Sequence, residues 1–259
     1  MKRFLIVSLF LLSTASILPA TSFVPKAIAQ LPDSIPSSAE EYSKRGISYI
    51  KQGKLDLALA DFNRAIELDP NLVDAYTNRG AIYERQGKYD LALADFNRAI
   101  KLNPDDALSH NNRAVIYTNQ GKSELAIADF NRAIEIDPNL SLAYRGRTAF
   151  YINQGKLDLA LSDANQNLKL APNNVASYVI RGLIYFNQEK YDLALADYNK
   201  AIELDPDYPL VYNNRGIIYK NQGQTDLAIA DLEKAKELFI QQGNTALVGN
   251  IDELLQELL

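Results

Sequence analysis

His110 is the only histidine in the chain, and so the only side chain whose charge changes near neutral pH without help from its surroundings. A histidine base or ligand needs a nucleophile, an acid or further ligands beside it. None is expected around His110, which assigns it to packing at the edge of a core. Asp105 and Asp106 are adjacent acids. A general acid–base pair needs an enclosed site that drives two pKa values apart, whereas these two fall between helical stretches and read as solvated helix-start residues. The absence of cysteine removes disulfides, thiolate nucleophiles and cysteine-ligated metals. A single histidine makes no histidine-rich metal site, and there is no glycine-rich phosphate loop. The expectation is no catalytic residue, no metal and no cofactor: a protein that is not an enzyme.

A pair of charges does recur. Arg45, Arg79, Arg113, Arg147, Arg181 and Arg215 stand at one constant interval, and Asp61, Asp95, Asp129, Asp163, Asp197 and Asp231 repeat at the same interval. Opposite charges repeating together point to pairing, within a repeating unit or between neighbours, and a planar guanidinium against a carboxylate suits a partly buried pair. The alternative is two solvated surface charges worth almost nothing. Either way these arginines are structural.

The elements that must position these residues follow from the same period. Gly53, Gly87, Gly121, Gly155 and Gly223 are spaced by 34 or its multiple, and Pro70, Pro104, Pro138, Pro172 and Pro206 share the interval. In 73–106, Tyr76, Gly80 and Tyr83 form one helical stripe and Ala92, Phe96 and Ala99 another. Gln86-Gly87-Lys88 turns between them, and Asn103-Pro104-Asp105 stops the second helix. Glu189 holds one glycine slot, which suggests that this turn does not strictly need a positive φ. No stretch alternates with period two, so no sheet is expected. A lone helix pair cannot bury both its stripes, so the array is the folding unit. Six units are predicted at 39–72, 73–106, 107–140, 141–174, 175–208 and 209–242. Residues 243–259 form a capping helix with Asn244 as its N-cap and Leu247, Ile251, Leu254, Leu255 and Leu258 on its apolar face.

Upstream, Lys2 and Arg3 precede an uncharged run from Phe4 to Leu18, and Ala27-Ile28-Ala29 ends a small-residue stretch. This reads as a signal peptide, 1–29, cleaved before Gln30, with export to a periplasm, a thylakoid lumen or the exterior. The alternative is an uncleaved N-terminal membrane anchor. Residues 30–38, rich in Pro and Ser, read as a disordered linker, and no other segment is apolar enough to span a membrane. The chain carries a net charge of −5, and removal of the signal segment takes away Lys2, Arg3 and Lys26 and no acid, leaving −5 − 3 = −8. Such a body repels phosphate backbones, which excludes nucleic acid as the expected partner.

The pattern resembles the tetratricopeptide repeat (TPR), here in a bacterial exported protein. The resemblance rests on aromatics at repeat position 4 (Tyr42, Tyr76, Tyr144, Tyr178 and Tyr212, with His110 in the third unit), Tyr at 11 and Ala at 20 in every unit, and small residues at 8. It implies an all-α solenoid, a right-handed superhelix of antiparallel helix pairs, whose concave groove is lined mainly by the first helix of each pair and holds a peptide or helix from a partner. The arginines stand where the family usually has leucine. The resemblance places Asn78, Asn111, Asn112, Asn119, Asn153, Phe186, Asn187, Asn213, Asn214 and Asn221 in that groove. There the amides would offer donors and acceptors to a peptide backbone. Ile47, Ala81, Val115, Ala149, Leu183 and Ile217 would supply an apolar floor, extended by Ile152 and Phe186. Some family members clamp a partner's carboxylate with Lys and Asn, but here Ser43, Ile47, Leu108 and Asn112 stand where most of that set is needed, so this role is not expected. The fourth unit, with Thr148, Ala164 and Asn167 at positions usually glycine, aromatic and alanine, reads as tolerated drift with a looser core, or as a hinge. The expected function is a protein–protein scaffold, monomeric or weakly self-associating. The alternative is a self-associating structural protein with no peptide ligand.

Overall fold

The computed structural model describes residues 36–258, so the expected signal segment and residues 30–35 lie outside it. Among the described residues there are 13 helices and no strand: α1 (Ala39–Lys51), α2 (Leu55–Leu68), α3 (Val73–Arg85), α4 (Tyr89–Leu102), α5 (Ala107–Asn119), α6 (Ser123–Ile136), α7 (Ser141–Asn153), α8 (Leu157–Leu170), α9 (Val175–Asn187), α10 (Tyr191–Leu204), α11 (Pro209–Asn221), α12 (Thr225–Gln241) and α13 (Val248–Gln256). They fall into two compact units, one ending at Phe150 and one starting at Tyr151.

Local chemistry sets where the helices begin and end. Ser38 caps α1, its hydroxyl accepting from Glu41 N at 3.2 Å while the Glu41 carboxylate accepts from Ser38 N at 3.3 Å. Asp106 and Asn174 cap α5 and α9 through the backbone N–H of Ser109 and Ser177. Asp106 is thus a helix-start residue as expected, and its neighbour Asp105 pairs with Arg132 at 2.6 Å. Asp69, Asn103, Asp137 and Asp205 each accept the N–H two residues on, turning the chain after the second helix of a pair.

The turn inside each pair needs a left-handed residue. Gly87 sits at φ 72° and Glu189 at φ 60°, so the expectation that Glu189 relieves this requirement is wrong. The turn forces the conformation on glutamate, at a cost of about 1–2 kcal/mol relative to a right-handed residue. Gly243, at φ 68°, closes α12 in the same way, with Asn244 N donating to Phe239 O. Asn244 is thereby used in that turn, and the terminal helix starts at Val248 rather than directly after it.

In the first unit the pairs α1–α2, α3–α4 and α5–α6 pack internally, and α1 adjoins α3 as α3 adjoins α5. In the second unit α9–α10 and α11–α12 do the same, α9 adjoins α11, and α13 covers α12 with Leu247, Ile251 and Leu254 buried. Phe62, Phe96, Phe130, Tyr198 and Leu232 are the largest side chains at the centres of the pairs, each beside a fully buried alanine. A Cβ added at Gly80 would lie 2.7 Å from Phe96 Cε1, so the ring requires glycine on the facing helix. Ala92 packs with Ala81, Phe96 and Ile116 in this tight contact. Ala92→Leu is expected to cost about 1–3 kcal/mol by overpacking, read as a lowered urea midpoint at unchanged slope.

The recurring charges meet. Arg79 Nε and Nη2 donate to Asp95 at 2.8 and 2.7 Å, and the same bidentate contact joins Arg45–Asp61, Arg113–Asp129, Arg181–Asp197 and Arg215–Asp231. The remaining Nη1 reaches back one repeat, as from Arg79 to Asn63 at 2.7 Å and from Arg215 to Asn199 at 2.6 Å. Arg79, Arg113, Arg181 and Arg215 therefore each tie their own pair together and join it to the previous one, while Arg45, in the first pair, does only the former. Tyrosines flank the guanidinium, with Tyr76 and Tyr83 centroids 5.6 and 5.9 Å from Arg79 Cζ.

His110 replaces the first of these tyrosines in its unit. Where Tyr76 donates its hydroxyl to Pro70 O, His110 sets Nε2 3.1 Å from Pro104 O and Nδ1 2.9 Å from Asp129 Oδ1. It is buried in a structural network, as its position in the repeat suggested. Asn167, in the divergent fourth repeat, is also buried and donates to Ser177 Oγ at 3.2 Å.

Candidate functional site

Within each unit the first helices of successive pairs lie side by side and form a wall. The ten side chains proposed for it divide by depth. Asn119, Asn153 and Asn221 are exposed at the last turn of their helices, and Asn187 is half-buried with its amide donating to Leu183 O at 2.9 Å. Phe186 is half-buried and edge-on to Tyr191, with centroids 5.7 Å apart. The other five, Asn78, Asn111, Asn112, Asn213 and Asn214, are buried. Asn78 donates to Asp74 O at 2.7 Å, Asn111 to Asn112 Oδ1 at 3.0 Å, and Asn213 to Asn214 Oδ1 at 3.3 Å. Wall asparagines thus serve packing in the body of their helices, and those with exposed amides lie near the helix C-terminus. Sequence spacing cannot separate the two groups, because the distinction depends on how closely adjacent pairs pack. Of the apolar floor, Ala81, Leu183 and Ile152 are buried, while Ile47, Val115, Ala149 and Ile217 keep part of their surface in solvent.

The buried amides differ in how well they are satisfied. Tyr198 is completely buried, which pushes its phenol well above the usual range, and Asn214, on the first helix of the following pair, donates to its hydroxyl. Asn112 bears the same positional relation to Phe96, which has no hydroxyl, and Asn112 Nδ2 is buried without a hydrogen-bond partner. A buried orphan donor costs about 1–3 kcal/mol. Phe96→Tyr supplies the acceptor found at Tyr198 and is expected to raise stability by about 0.5–1.5 kcal/mol in chemical denaturation. Added to Asn112→Ala, the same tyrosine should give no gain.

Glu84 was not anticipated as a wall residue. It lies on α3 one turn beyond Ala81, half-buried, and burial alone pushes its carboxyl up to about 7. The signal in the sequence was a glutamate at a repeat position that carries Ile50, Ile152 and Phe186 in other units. Among the described residues no three His, Asp or Glu side chains converge to hold a metal, and no helix is long and apolar enough to cross a membrane.

Two sequence-family models match the chain. One described as "TPR repeat" covers residues 46–87 and 182–223, and one described as "Tetratricopeptide repeat" covers 73–106, 107–140 and 209–239. No curated protein matches it. Among solved structures, it is similar to a chain of the APC/C hetero-tetramer Cut9–Hcn1, with a TM-score of 0.77 at 18% identity over 97% of this chain and 46% of that one. This chain thus spans less than half of that relative's length. PilF of Pseudomonas aeruginosa aligns with a TM-score of 0.68 at 18% identity, covering 78% of this chain and 91% of the other. YrrB, described as having an unusual peptide-binding site, aligns with a TM-score of 0.50 at 25% identity over 67% of this chain and 90% of its own.

Proposed function

Because the chain belongs to the tetratricopeptide-repeat family, we propose that it is a non-catalytic scaffold that holds a peptide or helix of a partner protein against its wall of first helices. The observation that carries this is the mixed character of that wall. In the unit ending at Phe150 the exposed amide of Asn119 lies one turn beyond the partly open Val115, and in the unit starting at Tyr151 the exposed amide of Asn221 lies one turn beyond the partly open Ile217. Amide hydrogen bonding plus apolar contact suits a segment with modest sequence demands, and the likeness to YrrB supports the same reading. We place this activity in an exported protein, directed by residues 1–29 with cleavage between Ala29 and Gln30.

The test uses peptides selected on the full chain from a random display library. Asn119→Ala is expected to weaken the best binders of the unit that carries it about 10-fold, while Arg64→Ala on a second helix of the same unit leaves them unchanged. Equal effects from both variants would overturn the reading.

A second reading, self-association, is favoured by one feature. Leu57, Leu91, Leu125, Leu159, Leu193 and Leu227 occupy the same position on the second helices, each 48–50% exposed. Sedimentation decides between the two, since only self-association makes the apparent mass rise with concentration.

A further inference from the structure

In the unit ending at Phe150, the wall of first helices holds a half-buried carboxylate with no internal counter-charge. Asp61, Asp95 and Asp129, the buried aspartates of that unit, are each gripped by an arginine. No described side chain gives Glu84 a hydrogen bond or an ion pair. At the corresponding register α1 carries Ile50, 4% exposed, and α5 carries Thr118, whose hydroxyl is turned back to Ala114 O at 2.9 Å. Neither supplies charge. Lys51 and Arg85, the cations one position further along α1 and α3, are exposed and pair with no described acid.

A carboxylate stripped of part of its water and left without a donor gains more from an incoming cation than a fully hydrated one does. Glu84 keeps part of its surface in solvent, so an incoming group can reach it. Ile47 and Val115, partly open on the flanking helices, suit the methylene stem of a long cationic side chain. The surplus of acids over the whole chain, net −5, favours approach of a basic segment.

Resting on the scaffold reading above, we propose that the partner presents a lysine or arginine whose cation pairs with Glu84 as the segment lies along α1, α3 and α5. This is opposite in sign to the clamp for a terminal carboxylate, most of whose residues the chain lacks.

An immobilised positional-scanning library of short peptides, probed with the full chain and with Glu84→Gln, tests the proposal. Circular dichroism confirms that both proteins are folded. The wild type is expected to enrich Lys or Arg at one position. Replacing that residue by norleucine in a selected peptide should weaken wild-type binding about 10-fold or more and change Glu84→Gln binding less than about twofold. Enriched peptides with no basic preference, or a lysine whose loss weakens both proteins equally, would overturn the Glu84 pairing and leave the scaffold reading standing. If no peptide is retained above the bare support, the scaffold reading fails and the pairing with it.

Discussion

Asp129→Ala is expected to lower the stability of the folded chain by about 3–5 kcal/mol, the penalty of leaving a desolvated cation without its anion. Asp129 receives Arg113 Nε and Nη2 at 2.7 and 2.8 Å and His110 Nδ1 at 2.9 Å, and its side chain is 9% exposed. Burial pushes its carboxyl up, but the hydrogen bonds from Arg113 and His110 outweigh burial and hold it below the usual carboxylate range. A folded-state pKa below the unfolded value of 3.8 makes this contribution fully present above about that pH and lost as pH falls through the lower folded value. Urea unfolding at pH 7 gives the loss directly, and the difference between wild type and Asp129→Ala should shrink on acidification below pH about 4. An unchanged midpoint at pH 7 would show that the arginine–aspartate contacts carry no stability. The pair Arg79–Asp95, which lacks a histidine, separates the penalty of breaking from the worth of the pair. Arg79→Leu with Asp95→Leu should cost less than either single change, because no charge is then left behind.

Glu84→Gln is expected to stabilise the protein by about 2–3 kcal/mol at pH 8 and by well under half of that at pH 5. The folded-state carboxyl, pushed up to about 7 by burial, lies above its unfolded value of 4.5. Its contribution is therefore fully present below pH 4.5 and is lost as pH rises through 7, where ionising a half-buried group opposes folding. Glutamine keeps the shape without the ionisation. Denaturation curves at the two pH values measure the gap, and parallel pH profiles for wild type and variant would show that Glu84 is well hydrated. A wall residue that lowers the stability of the free protein at pH 8 is the pattern expected where binding, not folding, decides the side chain.

The sequence alone determined the helices, their pairing and their order. These follow from apolar spacing, a glycine at most inner turns and a proline after most second helices, all of which act over a short stretch of chain. The family follows from the same period repeated along the chain. The opposed arginine and aspartate series pointed to paired charges, since each arginine and its aspartate lie on facing helices and must meet if the helices do. Only the tertiary structure decided the rest. Asn112 and Asn119 lie two turns apart on α5, yet one is buried and the other open, because the helices packed around α5 cover the first and leave the second in solvent. Glu189 takes the left-handed turn conformation despite its Cβ, because the two helices it joins fix the path between them. Glu84 gains its raised pKa from burial, which its place along α3 does not reveal. Spacing along one helix shows which way a residue faces, but the depth at which it sits is set by the neighbouring helices that pack against it.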